Sequence, residues 1–127
     1  MKLQESGEMY LETILLLSRR LNSVHSIDIA EEMNFSKPSV SRAINLLKDN
    51  GYLLMAKDGE LTLTESGRNV AEKIYERHTV LSQVLERLGV PADIAAEDAC
   101  RIEHAISDVS FEAVKKHIRQ HTPAEEA

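Results

Sequence analysis

The sequence predicts a mostly α-helical fold, in which a winged helix-turn-helix with a small β-hairpin wing precedes a second, helical domain. Three observations lead to this prediction. Apolar residues recur at helical spacing along most of the 127 residues. Two short helical segments meet at a tight turn at Asn34-Phe35. Asp58-Gly59 separates two short apolar segments, which is typical of a β-hairpin.

Two helices are predicted before the tight turn. The first covers residues 5 to 21, where apolar side chains follow the helical period. The second runs through Met33, and Ser26 is its expected N-cap. Asp28 lies in the first turn of this helix, where the helix dipole favours a negative charge.

The third helix and the hairpin follow the turn. Ser36 is a second N-cap residue, and Pro38 lies in the first turn of the helix, where its missing N–H costs little. The helix is expected to end at Asn50-Gly51. Residues 52–56 and 61–64 then form the two strands of the wing, because leucine and threonine alternate in the second strand.

Three further helices make up the second domain. They cover about residues 65–88, 91–107 and 108–121, followed by a frayed tail at 122–127. Thr64 is expected to cap the first of these helices, and Gly89 to end it. Ser107-Asp108 is expected to cap the last helix. The predicted domains are therefore residues 1–64 and 65–127, with the long helix linking them.

The charge of the chain is unevenly distributed. Its net charge of −6 argues against nonspecific binding of nucleic acid. Residues 36–57, however, carry four basic residues against one acidic residue, a local charge of +3. No apolar run is long enough to span a bilayer, no signal-peptide pattern is present, and a single cysteine cannot form an internal disulfide. These features predict a cytoplasmic protein without membrane contact.

The N-terminal half of the third helix is the candidate DNA-reading surface, because this half of a helix-turn-helix enters the major groove. Its residues are Ser36, Lys37, Pro38, Ser39, Ser41 and Arg42. Hydroxyl groups can bond phosphates or base edges, and Arg42 is the best candidate for either contact. Lys57 in the wing is a candidate phosphate contact. The alternative is a solvated polar face on a structural helical hairpin.

A candidate metal site lies in the second domain. Cys100, Glu103 and His104 are spaced i, i+3 and i+4, so they share one face of the predicted helix. A thiolate, a carboxylate and an imidazole can together bind a divalent transition metal. The candidate ligands, including similar donors on two other helices, are Met9, Glu12, His78, Cys100, Glu103 and His104. Taken singly, each has an ordinary alternative as a core or surface residue.

A histidine pair, His117 and His121, lies at i, i+4 on the last helix. Such a pair could bind zinc or nickel, but only Glu112 offers a carboxylate nearby and no thiol is present. We therefore favour the interpretation of a polar helix end.

These residues together resemble the DtxR/MntR family of metal-dependent transcriptional repressors. The resemblance extends over almost the whole chain. Its marks are Met9-x-x-Glu12, Asp28-Ile29-Ala30-Glu31, Leu63-Thr64-x-x-Gly67, Arg77-His78 and the segment Glu97 to His104. The resemblance implies a winged helix-turn-helix and a helical dimerisation domain with metal bound between them, and a homodimer that binds a palindromic operator in double-stranded DNA. It also implies the short form of the family, without the SH3-like domain that many members carry.

The ligand types bear on the choice of metal. In manganese-type members of the family the positions of Met9 and Cys100 hold aspartate and glutamate, whereas sulfur at both is the iron-type pattern. Thioether and thiolate favour Fe²⁺, Co²⁺, Ni²⁺ or Zn²⁺ over Mn²⁺. We therefore expect Fe²⁺ first and Mn²⁺ second, with Co²⁺, Ni²⁺ or Zn²⁺ binding in vitro. Glu12 and His78 match ligands of the manganese-type paired site, so binding of a second metal ion by each subunit stays an alternative. At two ancillary positions of the iron-type members this chain has Ser82 and Ala96.

The expected function is repression of metal-homeostasis genes when the metal is plentiful. One alternative is a metal-independent winged-helix regulator, whose helical half binds a small ligand or only dimerises. A second is a metalloenzyme in which Glu103-His104 activates a water molecule. The enzyme is disfavoured, because the sequence contains no H-E-x-x-H, nucleophile elbow or glycine-rich phosphate loop.

Overall fold

The computed structural model describes residues 5 to 121, which form a mostly helical structure with one small sheet. The elements are α1 (Glu5–Ser18), α2 (Ser26–Met33), α3 (Lys37–Asp49), β1 (Leu53–Met55), β2 (Leu61–Leu63), α4 (Glu65–Arg87), α5 (Ala92–Ile102) and α6 (Asp108–His121). The predicted fold class is confirmed. The chain divides into two compact units, one ending at Ile74 and the other beginning at Tyr75. The tail that was expected to fray lies outside the described residues.

The first unit holds the helix-turn-helix and the wing around an aliphatic core. Helix α1 packs against α2, α3 and β2, and α3 also contacts β1. The almost fully buried side chains of this unit include Leu11, Ile14, Leu15, Ile29, Val40, Ile44 and Leu53. The two strands pair antiparallel with Leu53 opposite Leu63, and the Leu61 N–H donates to the Val24 carbonyl at 2.8 Å. The wing is thereby attached to the segment before α2.

Two predicted helix ends in the first unit are wrong. Helix α1 ends at Ser18 instead of residue 21, and the Ser18 hydroxyl donates to the Leu15 carbonyl at 2.6 Å. The N-cap of α2 is His25, not Ser26. The reason is that the Asp28 carboxylate reaches back and accepts a 2.8 Å hydrogen bond from the His25 N–H.

The other predicted caps in the first unit are confirmed. Ser36 caps α3, since its hydroxyl accepts a hydrogen bond from the Ser39 N–H at 3.3 Å. Thr64 caps α4 by accepting a hydrogen bond from the Gly67 N–H at 3.1 Å. A Cβ atom at Gly67 would overlap the carbonyl oxygen of Tyr52, so this helical position requires glycine.

The second unit has its own small core. Leu81, Ala99 and Phe111 form a buried cluster, against which Val80 and Ile106 pack. These residues come from α4, α5, α6 and the turn before α6. Ser107 caps α6 as predicted, because its hydroxyl accepts a hydrogen bond from the Ser110 N–H at 3.1 Å.

Helix α5 ends at Ile102, so the prediction that it extends to about Ser107 is wrong. The carbonyl groups of Glu103 and Ile106 accept hydrogen bonds from the Arg77 side chain instead of extending the helical pattern. The turn that follows α5 is therefore held by a side chain of α4, which is distant in the sequence.

Candidate metal centre and nucleic-acid interface

Cys100, Glu103 and His104 come together at the C-terminal end of α5. Cys100 lies in the last turn of the helix, and the other two residues follow in the turn beyond it. One ligand atom from each residue, a sulfur, a carboxylate oxygen and a ring nitrogen, lies within 4.8 Å of the other two. Glu103 keeps helical dihedral angles of φ −58° and ψ −28°, so the side chains converge although the helix ends early.

The Glu103 carboxylate lies between two imidazole rings. Its Oε1 is 3.3 Å from His104 Nε2, and its Oε2 is 2.9 Å from His78 Nδ1 on α4. The exposed fraction of the side chain is 0% for Glu103, 1% for His104 and 31% for His78. A buried carboxylate is stable only with hydrogen bonds or opposite charge beside it, and His78 Nδ1 lies at hydrogen-bond distance from Oε2. The structure thus brings His78 to the same carboxylate as the predicted ligand cluster.

The donor geometry fits a divalent transition metal. Two donors bound to one ion at about 2.1 Å with tetrahedral angles lie about 3.4 Å apart. Glu103 Oε1 and His104 Nε2 are 3.3 Å apart, and both atoms are shielded from solvent. Thiolate, carboxylate and imidazole are donors that suit first-row ions such as Fe²⁺ and Zn²⁺. The residues present can therefore hold such an ion.

Arg77 supports this turn and was not predicted as a site residue. It is 5% exposed, and its Nη1 donates to the carbonyl groups of Glu103 at 3.0 Å and Ile106 at 2.6 Å. Its Nη2 donates to Asp108 Oδ1 at 2.6 Å. In the sequence, Arg77 is distinguished only as the neighbour of His78. Its hydrogen-bond partners are not indicated there, because they lie far along the chain.

Met9 and Glu12 lie one turn apart on α1, in the first unit, and both are half-buried. The Met9 carbonyl accepts a hydrogen bond from the Thr13 hydroxyl at 2.8 Å. Their participation in a site with donors from the second unit stays a prediction.

The predicted DNA-reading residues lie at the N-terminal end of α3. Ser36 Oγ and Ser39 Oγ are 2.9 Å apart, and Arg42 Nη2 donates to Ser39 Oγ at 3.4 Å. This chain of contacts orients Arg42 along the helix face. The remaining predicted residues of this end, all exposed, are Lys37, Pro38 and Ser41. Lys57 is exposed between the two strands of the wing.

An open groove of about 240 Å³ lies beside this surface. It is lined by Ser26, Ile27, Lys37 and Ser41, from the N-terminal parts of α2 and α3. Helix N-termini carry partial positive charge and exposed N–H groups, which attract phosphate. Spacing along the sequence did not predict Ser26 and Ile27 as part of this surface, because a groove depends on how two helices pack.

Tyr10 connects α1 to the helix-turn-helix. Its ring packs edge-on against Phe35 in the turn between α2 and α3, with ring centres 6.0 Å apart. Burial raises the pKa of Tyr10 above its usual 10.0, and the positive charge of Arg42 opposes this shift. Tyr10 therefore joins α1 to the turn that precedes α3.

The histidine pair of the last helix lies at its exposed end. The rings of His117 and His121 stack with centres 4.0 Å apart. His121 Nδ1 lies 2.8 Å from the His117 carbonyl oxygen, a contact that satisfies one of the last carbonyl groups of α6. This arrangement agrees with a polar helix end.

Two family models match consecutive parts of the chain. Residues 2–61 match the model described as the iron dependent repressor, N-terminal DNA binding domain. Residues 64–123 match the iron dependent repressor, metal binding and dimerisation domain. The donor cluster at the end of α5 lies in the second match. Among the described residues, no helix is both long and apolar enough to cross a membrane.

Individual transcriptional regulators are also similar to most of the chain. The iron-dependent repressor IdeR of Mycobacterium bovis is 34% identical over 116 residues, which are 90% of this chain and 50% of that protein. The transcriptional regulator MntR of Escherichia coli is 30% identical over 112 residues, 88% of this chain and 72% of that protein. The solved structure of the manganese regulator SloR has a TM-score of 0.79 at 31% identity, covering 94% of this chain and 55% of that one. The chain thus spans about half the length of the iron-dependent repressors it matches.

Proposed function

The chain belongs to the iron-dependent repressor family, and we propose that it is a metal-activated transcriptional repressor that binds operator DNA as a homodimer. The resemblance seen in the sequence is confirmed by both family matches. The observation that carries the proposal is the convergence of Cys100, Glu103 and His104 in the domain matched to metal binding. The family is one of transcriptional repressors and not of enzymes, which argues against the metalloenzyme alternative.

The proposed ligands come from both units. They are Cys100, Glu103 and His104 with His78 beside them in the second unit, and Met9 and Glu12 of α1 in the first. A divalent ion would supply one positive centre shared by these donors. The donors of α1 belong to the unit that carries α3, whereas Cys100, Glu103 and His104 belong to the matched dimerisation domain. Their joint use would restrict the motion of the DNA-reading unit.

This restriction is the proposed basis of activation. The two α3 helices of a dimer must reach successive major grooves, about 34 Å apart. If the reading units are already held, DNA binding costs less conformational entropy. The carboxylates also add to the net charge of −6, which repels DNA, and their neutralisation reduces this repulsion.

Contacts with DNA are proposed at the exposed end of α3 and the wing. Arg42, held along the helix by Ser39, would read a base edge or a phosphate. Lys37 and Ser41 line the groove with Ser26 at the N-terminus of α2, which suits a phosphate group. Lys57 would add a phosphate contact from the wing. We propose a cytoplasmic location, because the proposed operator lies in chromosomal DNA.

We propose Fe²⁺ as the activating ion and Mn²⁺ as the second choice. The names of similar proteins do not separate these ions, since one relative is an iron-dependent repressor and a similar structure is a manganese regulator. The thiolate of Cys100 and the thioether of Met9 support this choice, because soft donors favour Fe²⁺ over Mn²⁺.

An anaerobic DNA-binding titration tests the proposed function. A duplex selected from a random library by the protein with Fe²⁺ serves as the probe, and its affinity is measured with Fe²⁺, with Mn²⁺ and with a chelator. We expect the chelator to weaken binding by about 5- to 150-fold. Equal affinity in all three conditions would instead support the metal-independent winged-helix regulator.

A further inference from the structure

We infer that Arg77 is a positioning residue for the metal site, which fixes the backbone of Glu103 while the neighbouring His78 holds its carboxylate. Consecutive residues of α4 thus contact one residue from two directions. The inference rests on the proposed function for the metal, but the contacts of Arg77 stand independently of it.

The end of α5 explains why such a residue is needed. The last carbonyl groups of a helix have no partner within the helix and require donors from elsewhere. Arg77 Nη1 supplies hydrogen bonds of 3.0 Å to the Glu103 carbonyl and 2.6 Å to the Ile106 carbonyl. A positive charge at a helix C-terminus is also favoured by the helix dipole. Glu103 is the C-cap residue of α5 and Ile106 lies in the turn that follows, so Arg77 of α4 holds the helix end together with this turn.

The same guanidinium reaches the next helix. Its Nη2 donates to Asp108 Oδ1 at 2.6 Å, at the first residue of α6. Its Cζ lies 5.5 Å from the ring centre of Phe111, which is buried in the core of the second unit. A planar group with several N–H donors is needed to serve two carbonyls and a carboxylate together, and lysine cannot replace it.

The consequence for metal binding follows from the position of the ligands. Glu103 and His104 lie in the very turn whose carbonyls Arg77 holds. Without Arg77, two carbonyls of this turn lose their donor and the turn frays, so metal binding must first order it. Residues that orient metal ligands are typically worth about 10- to 100-fold in metal affinity.

The test compares Arg77→Met with Arg101→Met in the full chain. Arg101 is a suitable control, because it lies on α5 with its side chain 75% exposed and pairs only with Glu97 among the contacts seen in residues 5–121, at 3.2 Å. In the metal-free protein, amide hydrogen exchange at Glu103, Ala105 and Ile106 should accelerate in Arg77→Met and not in the control. At a temperature where both variants are folded, the Kd for Fe²⁺ and Mn²⁺ should rise about 10- to 100-fold only in Arg77→Met.

Operator binding separates positioning from a general loss of structure. With saturating metal, Arg77→Met should bind the selected duplex within about threefold of the wild type, because excess ion compensates for weakened affinity. Faster exchange in Arg77→Met with an unchanged metal Kd would mean that Arg77 has only a structural role, and this would overturn the inference. Unchanged exchange in this variant would overturn it as well. If Arg77→Met does not fold, Arg77→Lys is measured in its place. An exchange rate and a metal Kd equal to those of the wild type in Arg77→Lys would overturn the inference. A wild-type protein that binds no metal would refute the proposed function. The exchange measurement would still test whether Arg77 holds the turn.

Discussion

Glu103 Oε2 lies 2.9 Å from His78 Nδ1, so a buried carboxylate joins the middle of α4 to the end of α5. The other oxygen of this carboxylate faces His104 Nε2 at 3.3 Å. A single side chain therefore connects the linking helix with the cluster of proposed ligands. This relationship makes Glu103 the residue whose charge matters most to the proposed site.

Glu103→Gln keeps the size of the side chain but removes its charge. An amide oxygen is a much weaker ligand than a carboxylate, so we expect metal affinity to fall by more than the roughly 100-fold typical of residues that only orient a ligand. Isothermal titration calorimetry under anaerobic conditions measures this. Glu97→Gln is the matched control, since its side chain is 67% exposed on α5, the helix that precedes Glu103. Equal metal affinities in the two variants would argue against Glu103 as a ligand.

The spacing of residues predicted the donor cluster, but not the backbone that holds it. Cys100, Glu103 and His104 could be recognised because i, i+3 and i+4 positions adjoin on a helix. The turn after α5 is held by Arg77, whose partners Glu103 and Ile106 lie 26 and 29 residues away. Such a contact has no local signature, because sequence patterns report periodicity and not tertiary hydrogen bonds.

Met9→Asp combined with Cys100→Glu tests the basis of metal choice. Both changes replace sulfur with oxygen, and we expect the preference for activation of DNA binding to shift from Fe²⁺ toward Mn²⁺. Titrations of the selected duplex with each ion, in the wild type and in the double variant, give the two rankings. An unchanged ranking would show that sulfur at these positions does not set the preference.

Arg42→Ala and Lys57→Ala should affect DNA binding differently. Loss of a base contact at Arg42 should cost about 1–3 kcal/mol and relax the sequence preference at one position. Loss of a phosphate contact at Lys57 should weaken binding to all duplexes alike and lower the slope of log K against log salt by about one. Fluorescence anisotropy over a range of salt concentrations distinguishes these results. If both variants keep the salt slope and the sequence preference of the wild type, neither Arg42 nor Lys57 contacts the DNA.

Gly67→Ala should destabilise the first unit by about 1–3 kcal/mol, because the added methyl group overlaps the Tyr52 carbonyl. Urea unfolding of the metal-free protein measures the loss. Ser66→Ala, at an exposed neighbouring position of α4, is the control and should change stability by less than about 0.5 kcal/mol. A similar stability for both variants would mean that the helix and the turn at Tyr52 can separate without cost.

The accuracy of the predicted helix starts depended on which group forms the cap. Ser36, Thr64 and Ser107 were correctly predicted, because each hydroxyl accepts a hydrogen bond from an N–H three residues later. At α2 the cap was misplaced by one residue, since the Asp28 carboxylate bonds to the His25 N–H. Either arrangement satisfies a free N–H group, and the local sequence alone does not decide between them.

The most direct test is an anomalous diffraction map of the dimer bound to its selected duplex, recorded at the iron or manganese absorption edge. We predict a peak bonded to Cys100 Sγ, a Glu103 carboxylate oxygen and a His104 ring nitrogen, with Met9 or Glu12 of α1 completing the coordination. A map without a peak at these residues, or with Met9 and Glu12 turned away from the ion while DNA is bound, would contradict the account.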